Sequence, residues 1–246
     1  MLKKLSLLIF LTSLSIFAMD QRLNKYPDAR EDYIKATQEK DQSAAFQLAL
    51  FYEMDLKDNE QAIKWYEQSY KYGSERAAYN LGLLYEKKEH NYKNAIHWYT
   101  KAYNNNDEKS ALALGILYRK KMTDYKTAKA WYKLAYEQGN MGAANGLGNM
   151  YEHDLKNIER GLEWYKRAAK KGDRDSINNL GRVYHSNGNN TLSSAYMLVL
   201  INYGYTKKEV LSFLKNDWKI DRQTLEKAYK LQQTLDIPNH YTGGID

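Results

Sequence analysis

The apolar positions of this chain recur in a frame that returns every 33 residues between Ser43 and Gly204. The common form of the frame is Ala-x-x-Leu-Gly-x-x-Tyr, then a polar joint, then Ala-x-x-Trp-Tyr and a closing glycine, with single departures from unit to unit. Gly82, Gly115, Gly148 and Gly181 keep the step, and so do Tyr52, Tyr85, Tyr118, Tyr151 and Tyr184. Trp65, Trp98, Trp131 and Trp164 keep it too, each followed by a tyrosine. Offsets of three, four and seven place the first block on one face of a helix. A fixed period of about 20 to 50 residues marks an array of stacked units. The pattern therefore predicts an all-α protein, a right-handed α-solenoid of antiparallel helix pairs with a 33-residue period.

A glycine inside a helix costs about 1 kcal/mol against alanine, so its recurrence predicts a neighbouring helix crossing closely there. Ala49 holds that place in the first unit. The tryptophan and tyrosine columns are expected to be core rather than an aromatic binding box. Full units fall at 43–73, 75–106, 109–139 and 141–172, and a degraded fifth ends at Gly204, giving an array over 43–204. In the fifth, Tyr196 replaces the tryptophan one residue short of the period. Gly73, Gly139 and Gly172 follow the second helices, where a left-handed residue ends a helix without strain.

The flanks read as caps. Residues 19–42 hold a polar lead-in and an orphan second helix opened by Pro27 and Asp28, residue types suited to a first turn. Residues 205–236 form a C-terminal cap, with a capping box at Thr206 and Glu209 and a last amphipathic helix from Asp221 to about Leu235. Residues 237–246 are expected to be a flexible tail.

Met1 to Ala18 has the form of a signal peptide. Lys3 and Lys4 precede an apolar run from Leu5 to Phe17, shorter than the roughly 20 residues that span a bilayer. Cleavage after Ala18 puts Ile16 where a small residue is preferred, and cleavage after Ser15, with Ser13 behind it, is the alternative. The chain contains no cysteine, which excludes lipid attachment, disulfides and thiol chemistry. A periplasmic or secreted protein is expected, in contact with a membrane only through its leader. Lys3 and Lys4 supply two of the seven net positive charges, so a chain from Met19 carries +5. The basic residues are interspersed with acids and form no long run, which argues against nucleic acid as a partner.

The frame resembles that of the Sel1-like repeat family, closest at Ala77–Tyr85 (AAYNLGLLY) and Glu163–Gly172 (EWYKRAAKKG). The joints are shorter than is usual in that family and bring the unit near tetratricopeptide length. The glycine after each second helix and the lack of unit-end prolines favour Sel1-like. The resemblance implies protein contacts in bacterial envelope signalling, assembly or host interaction. Its alternative is a binder or hydrolase of cell-wall or β-lactam-like ligands, a precedent tied to cysteine-rich members.

No catalytic constellation is present. The five histidines show no paired metal spacing, and neither a phosphate loop nor G-x-S-x-G occurs. No metal, cofactor or catalytic residue is assigned, and a non-enzyme is expected. The positions that change from unit to unit are more informative. In related helix pairs the first helices line a concave surface, which here places Phe46 with Leu50, Tyr79 with Leu83, and Leu112 with Ile116 along it. The same pair then becomes Asn145 with Asn149, and Asn178 with Arg182. One turn further come Glu53, Glu86, Arg119, Glu152 and His185. Amides present donors and acceptors together and suit a peptide backbone. The competing reading makes the apolar pairs core and the asparagines solvated. On the groove reading the partner is a protein or peptide.

Overall fold

The computed structural model describes residues 19–245. The predicted leader, residues 1–18, lies outside the described residues. Among the described residues there are thirteen α-helices and no strand. An opening helix α1 (Pro27–Gln38) is followed by five helix pairs. These are α2 (Gln42–Met54) with α3 (Asn59–Lys71), α4 (Glu75–Lys87) with α5 (Tyr92–Asn104), and α6 (Ser110–Lys120) with α7 (Tyr125–Glu137). Then come α8 (Met141–Asn149) with α9 (Ile158–Ala169), and α10 (Arg174–Ser186) with α11 (Asn190–Val199). Two closing helices, α12 (Lys207–Ser212) and α13 (Arg222–Gln232), follow. The architecture is the predicted α-solenoid of helix pairs. The chain divides into two compact units, one through Leu114 and one from Gly115.

The joint inside each pair is built the same way each time. Lys57, His90, Thr123 and Lys156 take left-handed backbone at φ 50–54°. The next residue, Asp58, Asn91, Asp124 or Asn157, caps the second helix by accepting from the backbone N–H three residues on. Its own N–H donates to the carbonyl of Tyr52, Tyr85, Tyr118 or Tyr151, at 2.7–3.0 Å. The joint thus satisfies orphan groups of both helices. In the fifth pair the turn is one residue shorter, with Gly188 in the left-handed position and Asn189 as the cap.

In the first unit, Tyr66 and Tyr99 of the second helices are fully buried. Tyr99 lies flat against Gly82, where any side chain would overlap its ring. The close crossing expected from the glycine column is therefore an aromatic ring of the pair's own second helix. The N-terminal lead-in is also packed. Leu23 is fully buried, and Arg22 bridges Asp20 and Asp58 at 2.6 Å each.

The second unit repeats the layer with Tyr132 on Gly115 and Tyr165 on Gly148. A β-carbon at Gly115 would stand 2.7 Å from the Tyr132 ring. In the last pair Met197 takes the tyrosine's place over Gly181.

Two expectations need correction. The tryptophan column is core only in part: Trp98 is buried in the core of the first unit, whereas Trp65, Trp131 and Trp164 are only half-buried. The tyrosine beside each is the residue aimed at the pair's interior. Trp98 and Trp164 meet a ring on the second helix of the preceding pair, Tyr70 at 5.4 Å and Tyr136 at 5.5 Å. The stretch after residue 236 is not a free tail either. Ile237 and Tyr241 are buried, Gln232 and Gln233 donate to the Tyr241 carbonyl, and Tyr203 donates to that of Pro238. The capping box at Thr206 and Glu209 and the proline start of α1 form as expected.

Candidate functional site

The buried tyrosines reach the glutamate column of the first helices. Tyr66 Oη donates to Glu53 at 2.9 Å, and Tyr99 Oη to Glu86 at 2.8 Å. In the second unit Tyr165 Oη donates to Glu152 at 2.8 Å. Burial and the adjacent carboxylate push each of these three phenols well above the ordinary tyrosine range. The third pair departs from the rule, because Arg119 stands in the glutamate's place. Its guanidinium interacts with the Tyr132 hydroxyl and donates from Nε to Asp154 at 2.5 Å.

Glu152 is more fully engaged than its counterparts. Arg182 grips it with two parallel bonds, at 2.8 and 2.7 Å, while Tyr165 holds it from below. Burial raises the Glu152 pKa, but the Arg182 and Tyr165 bonds outweigh it and leave the carboxyl below its ordinary value. Among the described residues, neither Glu53 nor Glu86 has an ion-pair partner. The same structural position is thus closed with a cation in one unit and left open in the other.

The apolar positions divide as well. Phe46 is buried, edge-on to Tyr66 at 5.5 Å and covered by the Arg76 guanidinium, so it belongs to the core and not to an open face. Leu50, Tyr79, Leu83 and Leu112 are half-buried in the first unit, as is Ile116 in the second. Met54, one turn beyond Leu50, is 59% exposed.

The asparagines form a network. Asn149 donates to the backbone and side-chain oxygens of Asn145, whose Oδ1 also accepts from Asn179 at 2.9 Å. Asn178 is exposed and lines a cleft of about 330 Å³ with Met197, Tyr205, Glu209, Val210 and Phe213. His185 stacks flat on Trp218 at 4.0 Å, and its Nδ1 lies 3.1 Å from Asn190 Oδ1.

Asn179, Asp154 and Trp218 were not among the expected residues. Asn179 sits 34 residues from Asn145, one off the period that selected Asn178. Asp154 looked like a solvated joint residue. Trp218 carried a readable signal, since it is the one tryptophan outside the 33-residue column.

Comparison with known proteins bears on this arrangement. The Sel1 repeat model matches residues 42–74, 75–107, 110–140 and 142–173, more than half of the chain and coincident with the first four helix pairs. The chain belongs to the Sel1 repeat family. Sel1 repeat proteins are generally helical scaffolds for protein interaction and typically non-catalytic. The fifth pair, outside the matched repeats, is the one with methionine in the tyrosine's place and the shortened joint.

Two solved structures share the fold. One is a protective antigen of uropathogenic Escherichia coli strains with an SLR fold, at TM-score 0.61 and 22% identity over 94% of this chain. This Sel1 repeat protein spans about half of that one, 52% of its length. The other is a Sel1 repeat protein from Oxalobacter formigenes, at TM-score 0.56 and 22% identity, over 86% of this chain and 96% of that one. No curated protein matches the chain.

Proposed function

We propose that this Sel1 repeat protein is an exported, non-catalytic adaptor that binds a protein or peptide through its first helices, in envelope signalling, assembly or host interaction. One observation carries the reading. The residues that repeat, the tyrosines and the glycines beneath them, already close the interior of each pair. Leu50, Tyr79, Leu83, Asn149 and Asn178 differ from pair to pair and remain partly or wholly accessible. Side chains that vary over a constant frame are free to be selected for a partner. Asn145 has its oxygen saturated by two amides, so Asn149 and Asn178 are the better peptide contacts.

Export follows from the leader, Lys3 and Lys4 before a short apolar run. The test combines both parts. The protein recovered from envelope fractions should begin near Met19 by N-terminal sequencing. Used as bait, it should retain a partner that is lost when Leu50, Leu83 and Asn149 are changed to serine. An intact Met1 in the membrane fraction would overturn export. Equal retention by the triple variant would move the partner surface off the first helices.

A further inference from the structure

The difference between Glu152 and its two counterparts says what kind of partner the first unit accepts. Glu152 shows the completed arrangement: a half-buried carboxylate, held from below by a tyrosine hydroxyl and capped by two parallel bonds from Arg182. Glu53 and Glu86 each have the corresponding tyrosine beneath them, Tyr66 at 2.9 Å and Tyr99 at 2.8 Å, and no ion-pair partner among the described residues. The residue 30 positions after Glu152 is Arg182; the residue 30 positions after Glu53 is Leu83. The first unit therefore keeps the carboxylate and replaces the internal arginine with an apolar side chain. An ionised carboxylate offers about four acceptor sites, of which the tyrosine uses one. Leu50 and Leu83 stand three residues before Glu53 and Glu86 on their helices, and with Met54 and Tyr79 they leave apolar surface partly exposed.

We infer that the first-helix face of the first unit binds an extended peptide carrying arginines that dock on Glu53 and Glu86, with apolar residues packed between them on Leu50 and Leu83. This names the partner class for the adaptor reading above and rests on it. Arginine fits better than lysine because its planar fork makes the paired bonds seen at Glu152, whereas an ammonium is a point charge. The spacing is taken as the usual step between neighbouring helices. Packed helices lie about 10 Å apart, which three residues of polyproline-type chain cover at about 3.1 Å each. That conformation also returns side chains to one face every third residue, so the motif is arginine with two apolar residues before the next arginine.

The test uses fluorescence anisotropy with three labelled peptides: arginine at every third position with leucine between, the same peptide with lysine, and the same peptide with glutamate. The purified protein should bind the arginine peptide, bind the lysine peptide several-fold more weakly, and leave the glutamate peptide free. Glu53→Gln and Glu86→Gln keep an acceptor for the tyrosine and remove only the charge. Each should weaken the arginine peptide by about tenfold, the effect of losing one charged hydrogen-bonded contact. Glu152→Gln, already capped, should leave the affinity unchanged. Leu50→Ser with Leu83→Ser should abolish binding, with unchanged circular dichroism. Equal affinity for the arginine and glutamate peptides, or no loss in either glutamine variant, would overturn the inference. If the native partner is retained by wild type and by the double glutamine variant alike, the adaptor reading stands and this one fails.

Discussion

The two units carry one interior and two surfaces. In both, a second-helix tyrosine lies on a first-helix glycine, and the joint is closed by a left-handed residue followed by a capping side chain. Above that layer, among the described residues, the first unit leaves Glu53 and Glu86 without an ion-pair partner, whereas the second pairs Glu152 with Arg182 and has Arg119, itself paired with Asp154, at the position one period before Glu152. The interior is what the repeat holds constant. The charge above it is free to serve stability in one unit and recognition in the other.

The largest expected effect tests the shared interior. Tyr99→Ala removes a fully buried ring and should cost about 3 to 5 kcal/mol in urea unfolding. Trp65→Ala, half-buried at the rim, should cost about half of that. Equal losses would restore the tryptophans to the core.

A smaller effect tests the closed surface. Arg182→Met leaves Glu152 with its tyrosine and only the neighbouring His153, 3.5 Å away, in place of the paired arginine bonds, and should cost about 1 to 3 kcal/mol at neutral pH. Its pH dependence has a definite sign. The folded carboxyl titrates below its ordinary 4.5, so Glu152 contributes stability above that value and loses it as pH falls through the lowered pKa. Without Arg182 the folded pKa rises, and the site adds less acid-sensitive stability. Urea midpoints followed from about pH 6 to about pH 3 should fall more steeply in wild type than in the variant.

Much of this was legible in the sequence, and the reason lies in the period. Gly82, Gly115 and Gly148, with the tyrosines that cover them, occur at 33-residue steps because every pair needs the same ring over the same gap. The capping column Asp58, Asn91, Asp124 and Asn157 keeps the step as well, but a polar column resembles solvated surface until its bond to the helix end is seen. The charged partners could not be read this way. Arg119 reaches Asp154 across 35 residues and Arg182 reaches Glu152 across 30, distances set by side-chain length and not by the repeat. Ile237 and Tyr241 escaped notice because isolated apolar residues in a polar stretch have no period.

The smallest effect concerns the joints, which the units share. Thr123→Gly should stabilise by about 0.5 to 1 kcal/mol, because a β-branched residue is strained at φ 51°. Lys57→Gly, at φ 54° but unbranched, should gain less. Differential scanning calorimetry of the two variants ranks them, and a loss at either would show that the side chain there makes a contact worth more than the strain.

The contrast between the surfaces is tested most directly by neutralising the same position three times. Glu53→Gln, Glu86→Gln and Glu152→Gln each keep the tyrosine's acceptor and remove one charge. In urea unfolding at neutral pH, the first two should stay within about 0.5 kcal/mol of wild type, as uncompensated surface charges do. Glu152→Gln should cost about 1 to 3 kcal/mol, because it breaks a paired, charge-assisted contact. Three equal losses would contradict the account, since Glu53 and Glu86 would then be structural and not held open for a partner.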